Sequence, residues 1–138
     1  MSDPYGPPPT PDPAHGAGLT QEDRTWALAS HVGSLVSAWF AFGFLAPLLV
    51  MLLKSDSPFV RRHAVESLNF QISLLIYGLV GTVVAFVLTL ATLGIGLIVI
   101  IPVVAVLALI VLVLIIVATV KASNGEEYRY PLTLRLVS

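Results

Sequence analysis

Between two long apolar runs, residues 55–71 read SDSPFVRRHAVESLNFQ and gather Asp56, Arg61, Arg62, His63 and Glu66. Ionisable side chains at this density serve one of three ends: acid–base or metal chemistry, an ion pathway, or a water-facing hinge between membrane spans. On a helix, Arg62, Glu66, Asn69 and Ser73 fall at i, i+4, i+7 and i+11, a single polar stripe that Tyr77 continues. Phe59, His63 and Phe70 lie to one side of it. Arg62 and Glu66 can pair across one turn, worth about 0.2–0.5 kcal/mol on an exposed helix. Gln71 closes the block. Most of this charge precedes residue 67, where a helix entering the membrane still meets water, so an interfacial polar anchor is favoured over a set of transport residues.

The chemical alternatives are thin. His63 and Glu66 at i, i+3, with His31 upstream, make the one metal set that can be drawn. Ligands at that spacing share a metal in helical bundles, but a single pair with no second carboxylate and no Cys falls short of the donor sets such sites use. His15, His31 and His63 fall in a Pro-rich tail, near one membrane edge and in a basic loop, and nothing in the sequence brings them together. There is neither a G-x-S-x-G elbow nor a G-x-x-x-x-G-K phosphate loop. The expectation is a non-enzyme with no catalytic residue, no metal and no cofactor.

The elements that position the stripe follow from composition. Of 138 residues, 57% are hydrophobic and 11% charged, and the mean hydropathy is +0.92. Ordinary soluble domains carry about 25% charged residues. Lipid is therefore the expected solvent, and the length allows one domain. A net charge of -1 with no basic run excludes nucleic acid as a partner. Cysteine is absent, which removes disulfides and thiolate chemistry.

Six prolines in the first thirteen positions predict an extended, disordered tail over 1–22. No cleavable signal is read, because the first apolar run starts near residue 32 behind this tail. Thr20, with Asp23 three residues on, is an N-cap, and Trp26 lies near the membrane entry. Residues 32–53 carry no charge and form the first expected span, kinked at Pro47. Ser30, Gly33, Ser34 and Ser37 make small-xxx-small pairs for helix packing. Ser57–Pro58 starts the next helix. From Ser67 to Val120 there is no charge, and one helix of that length would run roughly 80 Å. It must be two spans, 67–91 and 97–120, turning at Gly94 and Gly96. The expected architecture is an all-α integral membrane protein, a three-span bundle with a disordered Pro-rich N-terminal tail. Residues 23–138 form its membrane domain, with a polar hinge at 54–66 and an interfacial C-terminal segment at 121–138.

Charge sets the expected orientation. Lys54, Arg61, Arg62, Lys121, Arg129 and Arg135 lie on one side of a three-span chain, and Arg24 alone on the other. The positive-inside rule then puts the 54–66 loop and the C-terminus in the cytoplasm and the N-terminus outside.

The ordered elements His31, Pro47–Leu48, Ser57–Pro58–Phe59–Val60, His63, Glu66, Leu68–Asn69–Phe70–Gln71, Lys121–Ala122, Asn124–Gly125 and the YRYPLTLRL close resemble the bacterial Tic-twenty-like family of small membrane proteins. The likeness covers about residues 23–137. It implies a helical integral membrane protein with a role in a translocon or other assembly. The function expected is that of a non-enzymatic accessory or scaffold subunit in the bacterial plasma membrane. Its partners would be the lipid bilayer and other membrane subunits or further copies of itself. The alternative is a protein- or ion-translocating channel component, acting as an oligomer through the Arg62–Glu66–Asn69 stripe.

Overall fold

A computed structural model describes residues 18–38, 43–54 and 56–138. Of the tail expected over 1–22, residues 1–17 lie outside that set, while Gln21 and Glu22 already belong to a helix. The described residues form four helices and no strand: α1 (Gln21–Ala38), α2 (Leu45–Leu53), α3 (Pro58–Ala91) and α4 (Leu97–Ser123).

Local chemistry explains the boundaries. Thr20 and Asp23 form a reciprocal capping box. The Asp23 amide donates to Thr20 Oγ1 at 3.1 Å and the Thr20 amide to Asp23 Oδ2 at 3.0 Å. Proline at the first position opens α3. Both long helices close with the same C-cap geometry. After α3, the Leu93 amide donates to the Leu90 carbonyl and Gly94 to Thr89. After α4, Gly125 donates to Ala122 and Glu126 to Lys121. These are Schellman closures, and the left-handed residue in each is Leu93 (φ 53°) or Gly125 (φ 77°).

The first expected span is where the fold departs from the sequence reading. A continuous helix over 21–53 would be about 50 Å long. Instead the chain turns at Gly43–Phe44 and restarts at Leu45. Pro47 is the cause rather than a kink within one helix. It has no N–H to give residue 43 and its ring crowds that carbonyl, whereas in a first helical turn both penalties vanish. It sits there, buried, at the third position of α2. The two pieces fold back on each other, so that a Cβ built on Gly33 would lie 2.7 Å from the Ala46 Cβ. Their far ends are clamped: Lys54 Nζ meets Glu22 Oε1 at 2.7 Å, and the Asp23 carboxylate takes hydrogen bonds from Thr20 and Ser57. α2, at about 13 Å, is too short to cross a bilayer. α1 and α2 therefore lie against each other as a hairpin, with Glu22 and Lys54 side by side at its open end.

This hairpin packs on the first half of α3 and the end of α4. Ala27, Phe59 and Ala122 form one buried cluster; Val50, Val60 and Ala64 form another; Phe70, Ile115, Ala118 and Tyr130 form a third. Beyond them the two long helices run on bare. No residue from Leu74 to Leu114 is buried. Their most apolar stretches have mean hydropathies of 2.4 and 3.6, and an apolar groove of about 860 Å³ separates them. A helix apolar all round and unburied is matched to lipid.

Lys54 holds the Glu22 carboxyl below the ordinary glutamate range, and Glu22 in turn raises Lys54. The clamp therefore contributes fully above the ordinary glutamate range. It is lost as pH falls through the lowered Glu22 value, and again as pH rises through the raised Lys54 value. In detergent, Lys54→Met should melt below the wild type at neutral pH, with the gap closing in acid. A short bis-maleimide should join Glu22→Cys to Lys54→Cys within one chain, because the hairpin brings them together; a spanning helix would hold them about 30 Å or more apart. Gly33→Leu should cost about 1–3 kcal/mol through overpacking against Ala46, read as a lower melting temperature.

Candidate functional site

The polar stripe is real, and the chain's own C-terminal segment covers it. Past Gly125 the backbone runs down α3, turns at Pro131–Leu132 and returns. Each stripe residue meets it. Arg62 pairs with Glu127 at 2.7 Å. Glu66 Oε1 accepts the Tyr130 amide at 2.8 Å and lies 3.3 Å from an Arg135 guanidinium nitrogen. Asn69 Oδ1 accepts the amides of Leu136 at 2.9 Å and Val137 at 2.8 Å, while its Nδ2 donates to the Val137 carbonyl at 2.8 Å. Ser73 Oγ accepts the Leu134 amide at 2.8 Å, and the Tyr77 hydroxyl donates to the Leu132 carbonyl at 2.8 Å. Arg61, beside the stripe, donates to the Ser138 carbonyl at 3.0 Å. The segment expected at the membrane surface is thus a strap laid along α3. It forms no strand ladder, so the helix side chains supply the partners its backbone needs.

Behind the strap lies a buried relay of rings. His31 Nδ1 and Tyr130 Oη are 3.0 Å apart, His31 Nε2 and His63 Nδ1 2.9 Å, and His63 Nε2 and the Glu126 carbonyl 3.1 Å. The carbonyl can only accept, so His63 Nε2 carries a proton. With both rings neutral, His63 Nδ1 then accepts from His31 Nε2–H, and His31 Nδ1 accepts from the Tyr130 hydroxyl. Every group is satisfied in a single direction. Tyr130 also stacks on Phe70, ring centroids 3.9 Å apart and planes 7° from parallel. One added proton on His63 would reverse the other two bonds without breaking the line.

His31 and His63, expected apart, therefore converge; sequence reasoning singled out both but missed their meeting and the part Tyr130 takes in it. Their convergence depends on the α1–α2 hairpin, which a straight first span conceals. The available signal was Ser30, His31 and Ser34, a polar face on a helix about to enter lipid. Ser30 and Ser34 are fully buried; Ser34 Oγ donates to the His31 carbonyl at 2.6 Å, and the Ser67 hydroxyl reaches across to the Ser30 carbonyl at 2.9 Å. Gly33 faces Ala46. Gln71 is buried on α3. The Ser37 side chain lies outside the described residues. Among the described residues, no group of three or more His, Cys, Asp or Glu is placed to hold a metal.

The same contacts gather the cations. A Cβ on Gly125 would lie 3.4 Å from Arg24 Nε, and Glu22 holds Lys54. The start of α1 sits beside Lys54 and the end of α4, so the described cations Arg24, Lys54, Arg61, Arg62, Lys121, Arg129 and Arg135 share one end of the molecule.

Two long apolar helices, a folded-back hairpin and a strap that seals a polar seam define a small helical membrane protein with one polar end. Residues 22–137 match the model of the magnetosome magnetite crystal formation protein family (MamF/MmsF), and the chain belongs to that family. This match overturns the Tic-twenty-like resemblance. Among the residues that carried the likeness, Glu66 and Asn69 on α3 and the YRYPLTLRL close form the two sides of the strap seam. No curated protein and no solved structure matches the chain.

Asn69→Ala removes three hydrogen bonds at once and should release the strap, seen as faster tryptic cleavage at Arg135 with the helical circular dichroism retained. Tyr130→Phe leaves His31 Nδ1 without a donor and should cost about 1–3 kcal/mol of stability, measured by thermal unfolding in detergent.

Proposed function

We propose that this chain is a non-enzymatic accessory or scaffold subunit of the magnetosome membrane, acting in magnetite crystal formation through its assembly with other membrane proteins. The family supports the setting. One observation carries the accessory reading: the polar side chains of α3 are engaged by the chain's own strap, so the residues that would have lined a conducting path are committed to holding the fold. The groove between the long helices is apolar, which is equally unsuited to ions.

The proposed topology is two full spans, α3 and α4, with the α1–α2 hairpin dipping in from the polar end. All seven cations of the chain then lie on one side and none in the 92–96 turn, which supports a cytoplasmic polar end.

Deleting the gene should alter the size or shape of the magnetite crystals. The protein should also co-purify from mild detergent with a defined set of magnetosome membrane proteins. Isolation as a free monomer together with unchanged crystals would overturn the proposal. Ion flux into liposomes that is lost in Glu66→Ala would instead establish the channel reading.

A further inference from the structure

The tip of the α3–α4 hairpin is built unlike a turn that meets water. Every backbone N–H from Thr92 to Ile100 is bonded within the tip: Thr92 to Leu88, Leu93 to Leu90, Gly94 to Thr89, Ile95 to Thr92, Leu97 to Gly94, Ile98 to Ile95, and Val99 and Ile100 to Gly96. The one amide with no carbonyl partner, Gly96, donates to the Thr92 side chain at 2.8 Å. The first amides of α4, which a helix start ordinarily offers to solvent, are thereby used up.

The side chains say the same. Leu93 is 93% exposed, Ile95 70% and Ile98 74%, and no charge occurs between Ser67 and Val120. Leu93 also holds φ at 53°, a left-handed conformation that disfavours a residue with a Cβ and that water-facing turns give to glycine or asparagine. A leucine placed there, fully presented, gains nothing from water.

We propose that this tip ends among the acyl chains of the leaflet opposite the polar end, with Leu93, Ile95 and Ile98 against lipid, so that the hairpin offers no aqueous loop on that side. Hydrocarbon penalises every unpaired backbone group, and the tip leaves no N–H unpaired. Length permits it. The bare apolar part of α3, Leu74 to Ala91, is about 27 Å long, no longer than a hydrocarbon core about 30 Å thick. The inference rests on the membrane reading above and adds a one-sided disposition: the far aqueous phase meets lipid and not polypeptide from this hairpin.

The chain has no cysteine, so single-cysteine variants report position directly. Ile95→Cys and Ile98→Cys, with Arg129→Cys as the reference at the polar end, are reconstituted into phosphatidylcholine liposomes and washed at alkaline pH. They are then treated with a sulfonated maleimide in sealed and in freeze–thaw-opened vesicles. The tip thiols should react at least about tenfold more slowly than Arg129→Cys in both states, since a thiol kept from water does not ionise. A fluorophore attached at residue 95 before reconstitution should be quenched by lipids brominated along the acyl chain. Labelling of the retained chain at residue 95 or 98 once vesicles are opened overturns the proposal and leaves the membrane reading intact. Protection without lipid quenching assigns the tip to a protein partner and also overturns it. Loss of all variants from the washed vesicles overturns both readings.

Discussion

Glu66 and Asn69 impose the constraint around which the molecule is arranged. A carboxylate and a carboxamide on a helix that continues into lipid must each find fixed partners or carry a large desolvation cost. Here the strap supplies them, and the obligation is mutual. A segment with no ladder of its own would otherwise bring unpaired backbone amides to the membrane edge. The Tyr130, Leu136 and Val137 amides are satisfied by these two side chains. Neither α3 nor the strap is stable in this position without the other.

The ring relay ties the hairpin to the same seam. Tyr130 belongs to the strap, His31 to α1 and His63 to α3, so the line of bonds joins three elements distant in sequence. At one end it stops on a backbone carbonyl, which fixes the tautomers without any charge. Above the relay, Gly33 and the serines of α1 allow close approach to α2 and α3; below it, the Glu22–Lys54 pair closes the hairpin ends. The polar end is accordingly a packed, hydrogen-bonded unit, and the bare helices project from it as an anchor.

Much of this was legible in the sequence because it follows from local chemistry. The stripe at helical spacing, the Thr20 cap, the Ser57–Pro58 start and the turn at Gly94 are each set by a few neighbouring residues. The long apolar helices are set by composition alone. What could not be read is the relation between distant segments. Hydropathy over 32–53 is the same for one straight helix and for two that pack on each other, and only contacts between distant residues, Gly33 with Ala46 and Glu22 with Lys54, distinguish them. The same ambiguity governs the count of charges, since a hairpin brings Arg24 to the end of the molecule that holds the other cations. Likewise the stripe announced a need for polar partners, but its answer lay in the backbone amides of the strap, which leave no mark on side-chain patterning.

The separation between stripe and strap has a consequence for biogenesis. The amide of Tyr130 bonds to a side chain 64 positions earlier, and Arg135 to the same carboxylate 69 positions earlier. During synthesis, α3 reaches the insertion machinery while its partners are still inside or not yet made by the ribosome. Glu66 and Asn69 must then be sheltered by water or by a chaperoning surface until the strap is released. Insertion and folding are thus separate events in time, and quality control has an interval in which an exposed carboxylate marks the unfinished chain.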